Sequence, residues 1–467
     1  MGTTRFIFTS AQNDTPVHGP TWTAIKAIAK HYNARIFVAP YVYDLGVHKD
    51  SQKNNGDELK RAEHVWADEV IPYLFSKRMK VAKGLQFCGE LQILPTARRP
   101  LSGFQSYTAR DSAIIPHAKF ALESVASGKY EDTKLLYTTG TVTRKNYIQK
   151  KAGQLAQFHH GFGGLLVEVD GEGRWFVRQL NVSDNGVLHD LDVRVKDGKV
   201  TTGNRVEAIV WGDAHVRKAD PDVARMAWGK GGMLDALRPK HQVFHDLLDF
   251  HSRSHHEIGN GRLRFARYCG APEDDDVGLE LAEAARALCD RGRPWCRTVV
   301  VSSNHDAALL KWLDYADYRQ DPRNALTFLR LQTRVYESVK KGLKHFDIFA
   351  YAMQAYGAPK GIRFLRQDED YIICRDANGG INLGMHGHLG VNGGKGSMIG
   401  FARTGRKSIV GHGHSTAIVD GCYMVGTSSL LDMGYNRGLS SWTHSHAITH
   451  QNGKRQIVTM WAGKWRA

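Results

Sequence analysis

A series of short apolar runs, each ending in metal-binding side chains, constrains this chain more than any other feature. Ile209-Val210-Trp211 opens into Gly212-Asp213-Ala214-His215, and about thirty residues later Val243-Phe244 leads into His245-Asp246-Leu247-Leu248-Asp249. Thr298 to Val301 stops at Ser302-Ser303-Asn304-His305-Asp306. Ile381 to Gly384 and Lys407 to Val410 precede Met385-His386-Gly387-His388 and Gly411-His412-Gly413-His414. Runs of this length read as strands, and Pro221 to Leu237 reads as a helix returning the chain to a parallel neighbour. The ligands are therefore expected at strand ends on one edge of an α/β sheet.

Carboxylate, imidazole and amide are the mixture that a pair of divalent ions needs. A carboxylate bridges the two ions and neutral donors complete each one, so the site keeps positive charge for a phosphate. A single Asp-x-His would carry little weight, since exposed Asp and His are ordinary in loops; five such clusters in order, each behind an apolar run, carry much more.

The series resembles the calcineurin-like metallophosphoesterases, whose ordered motifs are D-x-H, G-D-x-x-D, G-N-H-[DE], an isolated His, and G-H-x-H. Two glycines depart, with His245 and Ser303 in their places, and neither departure removes a ligand. The resemblance implies one ion on Asp213, His215, Asp246 and His414, and a second on Asp246, Asn304, His386 and His412, with Asp246 bridging. His388 is the alternative to His386. It further implies His305, held by Asp306, as the group that stabilises or protonates the departing oxygen, and Asp249 as a residue that orients a ligand histidine or fixes the loop without touching metal. The attacking group would be a water acidified by both ions. Mixed nitrogen and oxygen donors without thiolate favour manganese, with iron, zinc, cobalt or nickel as further candidates.

Length bears on the organisation around this unit. At 467 residues the chain exceeds the usual size of one domain. The expected fold class is α/β: an N-terminal mixed α/β domain over 1–202, serving substrate binding or oligomerisation, then a metallophosphoesterase sandwich of β-sheets flanked by helices over 203–467. The N-terminal part opens β-α-β, with Phe6-Ile7-Phe8, a helix over Thr21 to Tyr32, and Ala34 to Val38. A strand at Leu135-Leu136-Tyr137 and hairpins around 170–173 and 196–199 follow. Long helices such as Asn324 to Gly342 carry apolar stripes that suit packing or a homo-oligomer.

Charge points to the substrate. Sixty-three Lys and Arg against 47 Asp and Glu give +16, which draws a polyanion to the surface. Two stretches alternate cations with aromatics, Arg98 to Arg110 and Thr143 to Lys151; either is a solvated face or a phosphate and base contact. With a phosphoesterase site, DNA is the expected partner and a DNase the expected activity. The C-terminal stretch Tyr435 to His446, with Gly453-Lys454-Arg455-Gln456, resembles the ends of phage-encoded nucleases of the same superfamily, and a late metal domain behind a large N-terminal unit resembles, mainly over residues 205 to 460, the host-DNA-degrading nucleases of some tailed bacteriophages. A small-molecule phosphodiesterase or phosphomonoesterase is the alternative, and a DNA-binding scaffold without catalysis the third reading. His444 and His446 read equally as a strand end at the surface or as substrate contacts, and His251, His255 and His256 as loop residues or tuning groups.

No apolar run approaches a membrane span. Met1 to Phe6 lacks an apolar signal core, so the expected location is cytoplasmic, the host cytoplasm if the gene is a phage's. Six scattered cysteines without a C-x-x-C pair fit buried thiols in a reducing compartment.

Overall fold

The structure is a computed structural model, and it describes residues 2–43, 64–253, 261–270, 275–377 and 379–467. The chain opens as the sequence predicts, with parallel strands Thr4–Gln12 and Arg35–Tyr41 joined by the helix Gly19–Tyr32. Pro20 sits in the first turn of that helix, where a missing N–H costs nothing, and Asn33 ends it in the left-handed region at φ 50°. The antiparallel strands Gly163–Val169 and Trp175–Asn181 complete a four-stranded sheet. Ile7, Val38 and Leu166 on one face of it pack on Trp22, Ile25 and Ile28 of the helix.

A six-stranded sheet carries the first three of the apolar runs that end in Asp, His and Asn. Its order is Arg363–Phe364, Arg297–Val300, His241–Phe244, Ala208–Val210, Ser445–Thr449, Arg455–Thr459, with the first four strands parallel. The expected return helix is present as two pieces, Pro221–Trp228 and Met233–Leu237. Asp220 caps the first piece by accepting the Val223 N–H at 3.0 Å. Alternation along the strands explains why the runs are apolar throughout. Ile209, Trp211, Phe244 and Val300 face a helical layer that includes Val277–Arg291, Ala308–Tyr315 and Ala325–Lys340. Ala208, Val210, Val243 and Val299 face a second sheet. A strand covered on both sides favours apolar residues on both faces, and its buried Gln242 is hydrogen-bonded to Trp211, Thr298 and the Arg291 carbonyl.

That second sheet has ten strands, in the order Ile372–Ile373, Ile381–Asn382, Lys407–Val410, Cys422–Met424, Ala417–Val419, Leu122–Val125, Lys134–Thr138, Ser112–Ile115, Leu85–Cys88, Arg78–Ala82. Its strands come from both sides of residue 202, joined where Ile418 pairs with Leu122 and Ser124 Oγ donates to the Thr416 carbonyl at 2.6 Å. The four- and six-stranded sheets meet side by side opposite it. There Gln179 Oε1 accepts the Ile457 N–H at 2.8 Å, and Asn181 Nδ2 donates to the Arg455 carbonyl at 2.9 Å. The short helix Met398–Arg403 covers Val410 and Cys422 on the outer face.

The fold is thus α/β, with mixed sheets flanked by helices. The ligand strands differ from expectation in one respect: they do not share one sheet edge. Ala208–Val210, His241–Phe244 and Arg297–Val300 belong to the six-stranded sheet, whereas Ile381–Asn382 and Lys407–Val410 belong to the ten-stranded one. Among the described residues no helix is long and apolar enough to cross a membrane. Cys269 and Cys289 are exposed, so burial accounts for only some of the thiols.

Candidate metal centre

Beyond their last paired residues the strands continue as loops held in ladder register. The Ala214 N–H donates to the His245 carbonyl at 2.9 Å, and His215 N–H to the Asp246 carbonyl at 2.7 Å. Asp213 is fixed across the gap to the 426–428 segment: its N–H reaches the Gly426 carbonyl at 3.1 Å and its carbonyl accepts the Ser428 N–H at 2.8 Å. A Cβ on Gly212 would lie 2.7 Å from the Thr427 backbone, so only glycine lets the two chain segments approach. His215, Asp246, His412 and His414 all stand at positive φ, from 34° to 70°. Four non-glycine residues in that region within one site are backbone strain gathered where side chains must converge.

The side chains do converge. Asp213 Oδ2 accepts the His412 N–H at 2.7 Å and lies 3.1 Å from His414 Nε2. His414 Nε2 is 3.1 Å from His215 Nε2, which is 3.6 Å from Asp246 Oδ2. The same Asp246 oxygen is 3.2 Å from His386 Nε2, and that nitrogen is 3.0 Å from Asn304 Oδ1. Asp213, His215, Asp246 and His414 offer ligand atoms within 4.8 Å of one another, as do Asp246, His386 and His412. Asp246 is common to both groups.

This donor set fits cations. Two Nε2 atoms that face each other at 3.1 Å, beside two carboxylates, are spaced as donors about 2.1 Å from a shared ion would be. Asp213 and Asp246 are almost wholly buried, and Asp213 Oδ1 has no hydrogen-bond partner among the described residues. A buried anion needs compensating charge. Within the chain the histidines supply it: burial opposes ionisation of Asp246, but His386 and His305 overcome it and hold its carboxyl well below the usual range. Burial likewise opposes a charge on His215, yet the Asp249 hydrogen bond and the Asp246 charge lift it to about 9.

His305 lies at the margin of this cluster, its ring edge-on to His215 with centroids 4.7 Å apart. Its Nδ1 is 2.9 Å from the Asp249 carbonyl, which can only accept, so Nδ1 carries the proton of that hydrogen bond. The expectation that Asp306 holds His305 is corrected by the geometry. Asp306 Oδ1 accepts the Leu248 N–H at 2.9 Å and braces the loop behind Asp246; burial and the Asp246 charge push its carboxyl up to about 6. Asp249 Oδ1 lies 3.2 Å from His215 Nδ1, an ion-pair distance.

No family model matches the chain, and no solved structure matches it. Over an alignment of 474 positions the chain is 36% identical to protein A1 of Escherichia phage T5, covering 99% of this chain and 83% of that protein. The chain belongs to the protein A1 family.

In this member of the protein A1 family, it is His386 rather than His388 that reaches Asp246. His388 is half-buried, its ring 5.3 Å from that of His386, outside both ligand groups. The tail histidines His444 and His446 turn inward rather than towards the surface. His446 is fully buried against Trp211 and its Nδ1 accepts the Gly212 N–H at 2.9 Å, while His444 Nε2 lies 2.8 Å from the Ser429 carbonyl. Both brace the loops that carry Asp213. His251 is half-buried, with Nδ1 3.8 Å from Asp249 Oδ2, and His255 and His256 lie outside the described residues.

The sequence marks His245 only as a departure from glycine. The residue is fully buried, its ring 5.5 Å from that of His386, and neither ring nitrogen has a hydrogen-bond partner among the described residues. Burial holds its pKa down at about 4. Strand alternation is the available signal, because residue 245 falls on the same side as Val243, towards the second sheet.

Proposed function

We propose that this chain is a two-metal phosphodiesterase of the calcineurin-like metallophosphoesterase kind, and that it cleaves DNA. The observation that carries the reading is the position of Asp246 Oδ2, which lies 3.6 Å from His215 Nε2 and 3.2 Å from His386 Nε2 and so belongs to both ligand groups. Asp213, His215, Asp246 and His414 would hold one ion, and Asp246, Asn304, His386 and His412 the other. Divalent ions there, manganese before iron, zinc, cobalt or nickel, would supply Lewis-acid charge to a phosphate and a nucleophile at neutral pH.

The chain's own groups do the rest. Asp249 fixes the ring of His215 through Nδ1, which turns Nε2 to the centre. The Asp249 carbonyl holds the Nδ1 proton of His305, leaving Nε2 to give a proton to the departing oxygen. The +16 net charge supports a polyanionic substrate, and the likeness to a phage protein agrees with a role in phage infection.

Cleavage of circular plasmid and of bis-para-nitrophenyl phosphate, each with manganese, with magnesium and with chelator, tests the reading. Manganese-dependent nicking that chelator abolishes is expected. Turnover of the small ester with plasmid untouched would keep the metal centre and replace DNA by a small phosphodiester.

A further inference from the structure

The two basic stretches lie well apart in the sequence and come together in the fold. Arg98 and Arg99 from the first, and Lys151 from the second, line one cleft of about 730 Å³ on the outer side of the ten-stranded sheet, and Arg403 completes its rim. All four are exposed, and among the described residues none is in an ion pair. Asp420 is the one carboxylate in the lining, and it is already paired with Lys119, with His159 Nδ1 3.5 Å away. The cleft is therefore a cationic surface without its counter-charge.

Its apolar part has a particular form. The helix Lys151–His159 presents Leu155 and Phe158 to the cleft, 49% and 81% exposed, and a phenyl ring left that open gains nothing from the core. An open aromatic face among cations suits an unstacked base with its phosphates on either side. A duplex hides its base faces and has no use for the ring.

The cleft also adjoins the metal centre. The helix Met398–Arg403 turns Ile399, Ala402 and Arg403 to the cleft, whereas Gly400 and Phe401 line a second cavity together with His386 and His388. One helix separates the two spaces.

We propose that this cleft binds a single-stranded segment of DNA, with phosphates on Arg98, Arg99, Lys151 and Arg403 and a base on Phe158, and that it feeds the metal centre. The proposal rests on the nuclease reading above. Four phosphate contacts give a slope of about −3 for log affinity against log salt on a single strand.

Fluorescence anisotropy of the full chain with a labelled oligothymidylate, its phosphorothioate linkages resisting hydrolysis, measures this. Arg98→Ala with Lys151→Ala should weaken binding at least tenfold and reduce the slope by about 1.4. Phe158→Ala should weaken it at least fivefold and leave the slope unchanged. Both variants should hydrolyse bis-para-nitrophenyl phosphate like the parent, since none of these residues belongs to the metal centre. Plasmid cleavage by the parent with variants that bind like it would overturn the cleft and leave the nuclease reading intact, and equal affinity for a duplex of the same length would overturn the single strand. A parent that turns over the small ester but neither binds nor cuts DNA would remove the nuclease reading and this proposal together.

Discussion

His305 and Asp249 divide one task between them. Asp249 places its carboxylate beside His215 and its carbonyl beside His305, so one residue touches both the proposed ligand and the proposed proton donor. The two substitutions should therefore separate. His305→Ala removes no ligand atom, and it is expected to cut turnover by roughly 10² to 10⁴ while metal content, measured by elemental analysis, stays at the parental level. Asp249→Asn keeps the shape but loses the charge that orients His215, and metal affinity should fall by roughly 10 to 100-fold. Full metal content with normal turnover in both variants would remove the roles given to them.

At the scale of elements, the strand-end loops determine the site, and Gly411 shows how tightly. A Cβ there would lie 2.2 Å from Asp213 Oδ1 and 3.2 Å from His245 Cγ. Gly411→Ala should displace the Asp213 carboxylate, lowering metal occupancy and costing about 1 to 3 kcal/mol of stability, as overpacking does; unchanged metal content and melting temperature would show that the loop gives way instead. The strands and the polar clusters at their ends were legible because apolar runs and polar ends are local features. Membership of two opposed sheets was not: Ile381–Asn382 is two residues long, and the join between Leu122 and Ile418 spans most of the chain. Nor does a sequence show positive φ at His215 or Asp246, or that Asp306 turns away from His305 to the Leu248 N–H, since all three follow from how the loops meet.

Across the whole molecule, buried histidines make stability depend on pH. Burial holds His160, His189 and His446 at about 3 and His117 and His450 at about 4, with neighbouring cations adding to the effect at His160 and His189. An unfolded histidine titrates near about 6.5, so between that pH and about 4 the unfolded chain binds protons that the folded chain refuses. Stability is thus fully present above about 6.5 and is lost as pH falls through this window. His215, raised to about 9, works the other way: its contribution is present below about 6.5 and fades as pH rises through about 9. These five, joined by His245 at about 4, outweigh His215 and Asp306, whose carboxyl at about 6 also gains protons on folding, and so decide the sign. Each of the five removes on the order of 1.4 kcal/mol by pH 5.5, and a domain's whole stability is only about 5 to 15 kcal/mol. Guanidinium unfolding of the chelator-treated protein at pH 7.5, 6.5 and 5.5 should show the midpoint falling mainly over the last step. A midpoint that holds constant to pH 5.5 would mean that these rings accept protons without leaving the core.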